Sequence, residues 1–252
     1  MAPNYKETIE KGNTKNWIDF FHVGYQTVTL DKQDLTWMEQ ALEIGVNTRK
    51  FSHLFDDELA ATCAKHTFPP GVWFVRTNRV SLKEGCHGVG PYTSLEHVIE
   101  SMVSTNLGHC CFNHSDNDCV IYLLPWLEIH SDMEFRIFVY NNHITALSSQ
   151  HLYSVNKWLT EKSDAEIDAI VQRILVFFEA QVKQPMSYMN SYVMDLALVG
   201  KDETPYFIEP NSFGKHYAAG SALFHWIYDH DILHGDYDDE PEAIELRFVN
   251  EY

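Results

Sequence analysis

The chain has 252 residues, 45% hydrophobic and 13% aromatic, which argues against disorder and allows one large domain or two small ones. Its 18 Lys and Arg stand against 36 Asp and Glu, a formal charge of −18. Proteins that hold nucleic acid by its phosphates need the opposite balance, so bulk nucleic-acid binding is excluded and anionic membranes are disfavoured.

The N-terminus MAPNYKETIEKG has no apolar signal core, and the five cysteines are odd in number. No apolar run approaches the ~18 residues needed to cross a bilayer. Free thiols and a cytoplasmic location are the expectation.

Residues 1–66 read as mixed and partly helical, with Leu35, Met38, Leu42 and Val46 on one face of a helix over 35–46. FPPG (68–71) breaks the chain before VWFVRTNRVSL (72–82), which reads as a strand. A glycine-rich turn, GCHGVGP (85–91), precedes a helix over 94–105 opened by a Thr93/Glu96 capping box. CVIYLLPW (119–126) has the continuous apolar character of a buried strand. EFRIFVYNNHITALSSQ (134–150) reads as two strands turning at Asn141-Asn142. A second capping box, Ser163/Glu166, opens a helix over 163–182, and 191–199 with 204–211 flank GKDE as a hairpin. Hairpins rather than βαβ crossovers join the central strands, so the pattern is α+β with a largely antiparallel sheet and flanking helices. The expected division is an N-terminal subdomain over 1–118, with a basic strand at 72–84, and a C-terminal subdomain over 119–252 carrying a metal site.

In the last hairpin Glu209 and Asn211 share a face, about 7 Å apart along the strand. Asp195 on the preceding strand can lie opposite them. Two carboxylates and an amide are oxygen donors suited to a hard cation such as Mg²⁺. The same spacing also suits carboxylates left in water at a sheet edge. Arg76, Arg79 and Lys83 form a cationic group, but Arg76 and Lys83 meet only if the chain bends near Ser81. The glycine-rich turn after them could offer backbone N–H groups to phosphate. Arg136 lies in an apolar strand and needs an anionic partner, either a carboxylate such as Glu134 or a polyphosphate. HCCFNHSDNDC (109–119) has no paired C-x₂-C knuckles, so its residues read as thiols and histidines rather than a structural zinc site.

Residues 126–153 resemble the core of the cell-division-cycle protein 123 family, a branch of the ATP-grasp superfamily. Trp126, Glu128, the run Glu134-Phe135-Arg136-x-Phe138-Val139 and Ser149-Gln150 fall on the family's positions. Residues 192–214 resemble its paired strands ending in acidic-x-Asn-x-Phe-Gly, followed by a Ser-x-Leu-Phe-x-Trp run at Ser221, Leu223, Phe224 and Trp226. The resemblance implies an ATP-grasp-like fold with nucleotide held between two subdomains. It implies ATP and Mg²⁺ as cofactors, with Asp195, Glu209 and Asn211 as metal ligands and Arg136 facing phosphate. Glu209 stands where the family has aspartate, and Arg76 where it has a nucleotide-contacting lysine; Lys83 matches a second basic position. Pro125, Trp126 and Leu127 match the hinge that reads adenine, although Pro125 has no N–H to donate.

The family's role implies an assembly chaperone for eukaryotic translation initiation factor 2, whose client offers a basic surface, in particular on the γ subunit. Two other readings stay open. One is an active ATP-grasp ligase or phospho- or nucleotidyl-transferase, with Lys215 as an extra cation. The other is an interaction domain with a vestigial nucleotide site. The acidic excess is −7 over residues 1–150 and −11 over 151–252, so few cations are left to converge on a nucleotide.

Overall fold

The computed structural model describes residues 5–106, 110–217, 219–236 and 244–251. The chain divides into two compact units, Asn13–Leu127 and a second made of Met1–Gly12 with Glu128–Tyr252. The first helix, α1 (Tyr5–Lys11), belongs to the second unit. The Asn13–Leu127 unit contains α2 (Ile18–Phe21), β1 (Gln26–Asp31), α3 (Lys32–Thr48), α4 (Asp56–Lys65), β2 (Trp73–Thr77), α5 (Leu95–Val103) and β3 (Asp118–Pro125). The second unit continues with β4 (Glu134–Tyr140), β5 (His143–Ser149), α6 (Lys157–Thr160), α7 (Asp164–Phe177), β6 (Tyr192–Val199), β7 (Thr204–Ser212), α8 (His230–His234) and β8 (Glu245–Arg247).

The division differs from the expected 118/119 boundary. β3 is the central strand of an antiparallel sheet ordered β1-β3-β2, so its apolar run is buried by the unit it ends rather than the one that follows. Its residues Ile121, Leu123 and Leu124 are almost wholly out of water. Helix α3 packs against β1, β3 and α5. The Asp31 side chain caps it, accepting from the N–H groups of Gln33 and Asp34, and Asp34 reciprocates to the Asp31 N–H. Its apolar face inserts Leu35, Met38 and Ala41 into a core with Val75, Val98, Ile99, Met102 and Ile121. The approach to α5 is close enough that a Cβ on Gly45 would lie 1.9 Å from the Val103 carbonyl oxygen. Only glycine fits there. Helix α5 is capped by Ser94, whose hydroxyl accepts from the His97 N–H, one residue after the expected Thr93. The expected strand over 72–82 is shorter: it turns after Thr77, and Ser81 pairs back onto Arg76.

The second unit is a five-stranded sheet ordered β7-β6-β4-β5-β8, antiparallel except for β5 beside β8. Asn141 and Asn142 both adopt left-handed φ, 48° and 61°, as the tight β4–β5 hairpin requires. The Ser163/Glu166 capping box opens α7 as expected, and the helix widens into a π turn over Phe178–Val182. Helix α7 packs on β7, and α8 on β4 and β5. Phe138, Ala146 and Val193 on one sheet face meet Phe224 and Leu233 from the C-terminal segment. Phe224 and Trp226 stand edge-on to Phe138 at 5.4 and 5.5 Å, the favoured geometry for aromatic rings. The middle of the acidic run 229–245, residues 237–243, lies outside the described residues.

Candidate functional site

Three neighbouring strands of the second unit carry the strongest constellation. Arg136 on β4 is paired with Asp195 on β6, and Asp195 is paired with Glu209 on β7. Directly opposed residues share a sheet face, so the three side chains form a row across the strands. Asn211 lies two residues further along β7 and falls on the same face.

This arrangement depends on one extra residue. From Val199↔Thr204 to Leu196↔Phe207 the hairpin runs in one register, and from Asp195↔Glu209 onward in a register shifted by one. Ile208 is the bulged residue. Without it Asp195 would face Ile208, and Glu209 would point to the opposite side of the sheet. The bulge lets Phe207 remain buried with Leu196 while Glu209 joins Asp195.

Arg136 makes a forked pair with Asp195, Nε donating to Oδ1 at 2.9 Å and Nη2 to Oδ2 at 2.8 Å. Its Nη1 donates to the Gly220 carbonyl at 2.8 Å. Asn211 Nδ2 also reaches Asp195 Oδ2, at a long 3.4 Å. Burial would lower the guanidinium pKa, but Asp195, with Glu209 beside it, outweighs that and raises it. The arginine is thus a fixed cation held between carboxylates. Its carboxylate partner is Asp195 and not Glu134.

The Ser-x-Leu-Phe-x-Trp run explains how Gly220 is delivered. The Leu223 N–H donates to Ser148 Oγ at 3.1 Å, and the Ser221 hydroxyl donates to the Phe224 carbonyl at 2.5 Å. Arg247 on β8 clamps the other side. It forks onto Asp229 at 2.8 and 2.9 Å and lies 4.1 Å over the Phe224 ring. This pairing holds the Asp229 carboxyl below its usual pKa. Lys215, just past the hairpin, is exposed.

The other expected nucleotide residues lie in the Asn13–Leu127 unit. Arg76 is 2% exposed, its guanidinium 4.5 Å over the Trp17 ring and its Nε donating to Thr14 Oγ1 at 2.9 Å. Thr14 in turn donates its hydroxyl to the Thr77 carbonyl, and its N–H to that of Asn78. Arg76 therefore anchors the segment before α2 to the β2 turn. Lys83 is exposed. Arg79 pairs with Asp116 at 3.2 Å. Pro125 is the last residue of β3, opposite Trp73, and the Trp126 N–H is committed to the Val72 carbonyl at 2.9 Å. Leu127 is 37% exposed.

The glycine-rich turn does not present a row of amides. Gly85 and Gly88 N–H groups bond the carbonyls of Leu82 and Gly85, while those of Cys86 and His87 bond the Ser104 and Ser101 hydroxyls. Of the 109–119 cluster, His109 lies outside the described residues. Cys111 and Cys119 are buried, and the exposed His114 pairs with Glu39. All five cysteines are free thiols. Among the described residues no helix is long and apolar enough to cross a membrane.

The model of the D123 family matches residues 94–252, well over half of the chain. The chain belongs to the D123 family. A curated relative, a translation initiation factor eIF2 assembly protein from Dictyostelium discoideum, is 29% identical over 129 residues. That match takes in 49% of this chain and 32% of the relative, so it spans about a third of that protein's length. Two solved structures of Cdc123 from Schizosaccharomyces pombe, one of them C-terminally truncated, superpose with TM-scores of 0.65 and 0.66 over the full length of both chains. At 15% and 16% identity they show a shared fold. The α+β architecture with largely antiparallel sheets is thus the Cdc123 fold. The D123 match begins at Ser94 and takes in β4 to β8, the whole Arg136–Asp195–Glu209–Asn211 row included.

Proposed function

We propose that this D123 protein binds ATP together with Mg²⁺ and acts as an assembly factor for translation initiation factor 2. The observation that supports it best is the register of β4, β6 and β7, which puts one cation and three oxygen-bearing side chains on one face. Asp195, Glu209 and Asn211 would hold the metal, a donor set of carboxylates and an amide that fits Mg²⁺ and suits neither thiophilic nor imidazole-seeking ions. Bound there, Mg²⁺ would supply charge compensation for phosphate oxygens. Arg136 would turn its fork to phosphate, for which planar bidentate recognition suits it. Its pairing with Asp195 keeps both side chains positioned and neutralised until then.

By resemblance Arg76, Lys83 and the 125–127 segment are further nucleotide positions. Arg76 keeps the charge of the family's lysine, and its contacts with Trp17 and Thr14 would hold that charge in position. The −18 charge favours a client with a basic surface, and the eIF2 assembly relative points to an initiation factor 2 subunit, the γ subunit first among them.

Equilibrium dialysis against labelled ATP, followed by chromatography of the retained nucleotide, tests the reading. ATP retained intact, in Mg²⁺ and not in chelator, is the expected result. Equal retention in both, or none, would overturn it. Steady release of ADP, AMP or pyrophosphate would favour a ligase or transferase.

A further inference from the structure

Far along the chain from the carboxylate row, the Asn13–Leu127 unit gathers a second set of ligating atoms. Cys86, His87 and Glu100 bring a thiol sulfur, a ring nitrogen and a carboxylate oxygen within 4.8 Å of one another, as no other group of three Cys, His, Asp or Glu does among the described residues. Cys86 and His87 sit in the turn that follows β2, and Glu100 projects from α5. We propose that these three side chains form a site for a zinc-type transition-metal ion, with a fourth position left to water or a small ligand.

Neighbours in a strand point to opposite faces and seldom share an ion. The turn removes that obstacle, and α5 fixes it in place. The Cys86 N–H donates to Ser104 Oγ at 2.9 Å and the His87 N–H to Ser101 Oγ at 3.2 Å. Both serines are fully buried, Ser101 on α5 and Ser104 at its C-terminal cap. The Tyr92 hydroxyl bridges the Gly88 carbonyl at 2.7 Å and Ser101 Oγ at 3.0 Å. Gly85 permits the approach, because a Cβ there would lie 2.5 Å from Ser101 Cβ and its carbonyl oxygen. Backbone and helix are therefore locked before any ligand arrives, as a metal site needs.

The side chains are oriented too. His87 Nε2 is hydrogen-bonded to Glu100 Oε2, so the imidazole already faces the carboxylate. His97, one turn before Glu100, stacks on the His87 ring at 4.3 Å with planes 24° apart and holds its angle. Cys86 is exposed and can exchange its thiol proton for a metal. A thiolate, an imidazole and a carboxylate form a mixed set that suits Zn²⁺ or Co²⁺ and disfavours Mg²⁺. The other thiols compete poorly. Burial, aided by Glu96 and Glu100, raises the pKa of Cys63, and burial raises those of Cys110, Cys111 and Cys119, the last to about 12.

Titration of the whole protein with Co²⁺ reads this site directly, because sulfur ligation gives an intense near-ultraviolet charge-transfer band. The band should saturate at one equivalent and vanish on adding Zn²⁺. Cys86→Ser should abolish it. Glu100→Gln, which retains the contact with His87, should weaken Co²⁺ binding at least about tenfold, with both variants keeping the wild-type circular dichroism. A wild-type protein with no band overturns the proposal. So does a band that survives Cys86→Ser, or one lost with Cys86→Ser yet indifferent to Glu100→Gln.

Discussion

Arg136 and Arg76 enter on the same footing, as arginines in apolar strands of an acidic chain, and differ in that Arg76 lies over an indole ring. Arg136 is held by a carboxylate fork at the centre of a sheet, with Glu209 and Asn211 on the same face. Arg76 is buried against Trp17 and a threonine hydroxyl, contacts that join two segments of its own unit. A buried arginine is thus informative only through its partner. The carboxylates beside Arg136 could also take a cation, while the Trp17 ring and the Thr14 hydroxyl fix the guanidinium of Arg76.

Mutations separate the two. Asp195→Ala strands the Arg136 charge and should cost about 3–5 kcal/mol in urea unfolding. The double change Arg136→Met with Asp195→Leu should cost clearly less than Asp195→Ala alone. Additive losses would show that the two do not act as a pair. Arg76→Ala should cost about 2–4 kcal/mol, from the lost indole contact and charged hydrogen bond. Arg76→Lys should recover little, since the planar guanidinium is what lies flat on the ring. A loss for Lys83→Ala beyond about 0.5 kcal/mol would blur the distinction, because that side chain is exposed.

Smaller effects sharpen the picture of the sheet that carries the row. Asn141→Ala places an alanine at φ 48° and should cost about 1 kcal/mol, while Asn142→Gly should be neutral or mildly stabilising. Acid unfolding probes the Asp229–Arg247 clamp. The folded pKa of Asp229 lies below its ordinary 3.8, chiefly through Arg247. Its contribution is therefore complete above that value and lost as pH falls through the lower, folded one. Asp229→Asn should make stability less steeply pH-dependent below about pH 4. An unchanged slope would mean the clamp is not formed in solution.

Much of this was legible before the structure. The Asn141-Asn142 turn, the Ser163/Glu166 box and the β6–β7 hairpin are local patterns, and each forms where the sequence puts it. What stayed hidden depends on distant partners. The bulge at Ile208 is a property of two strands together, so spacing placed Glu209 beside Asn211 but could not show what brings it to Asp195. The apolar run of β3 signals burial without saying on which side of the chain its sheet lies. Trp17, far earlier in sequence, lies beneath Arg76, a contact that no local pattern announces. Thr93 and Ser94 are adjacent cap formers, and local pattern does not choose between them. Cys86 and His87 had a signal in the sequence, a Cys-His pair in a glycine turn, but Glu100 completes the group only through the docking of α5.

The carboxylate row is the centre of the functional reading, and calorimetric titration of ATP into wild type and Glu209→Gln, each with and without Mg²⁺, tests it most directly. Glu209→Gln leaves the Arg136–Asp195 fork in place and removes one charge from the row. Wild type should bind ATP only with Mg²⁺, and Glu209→Gln should bind it at least about tenfold more weakly, a loss of ~1.4 kcal/mol. Mg²⁺-independent binding, or equal affinity in the two proteins, would contradict a metal–nucleotide site on this face.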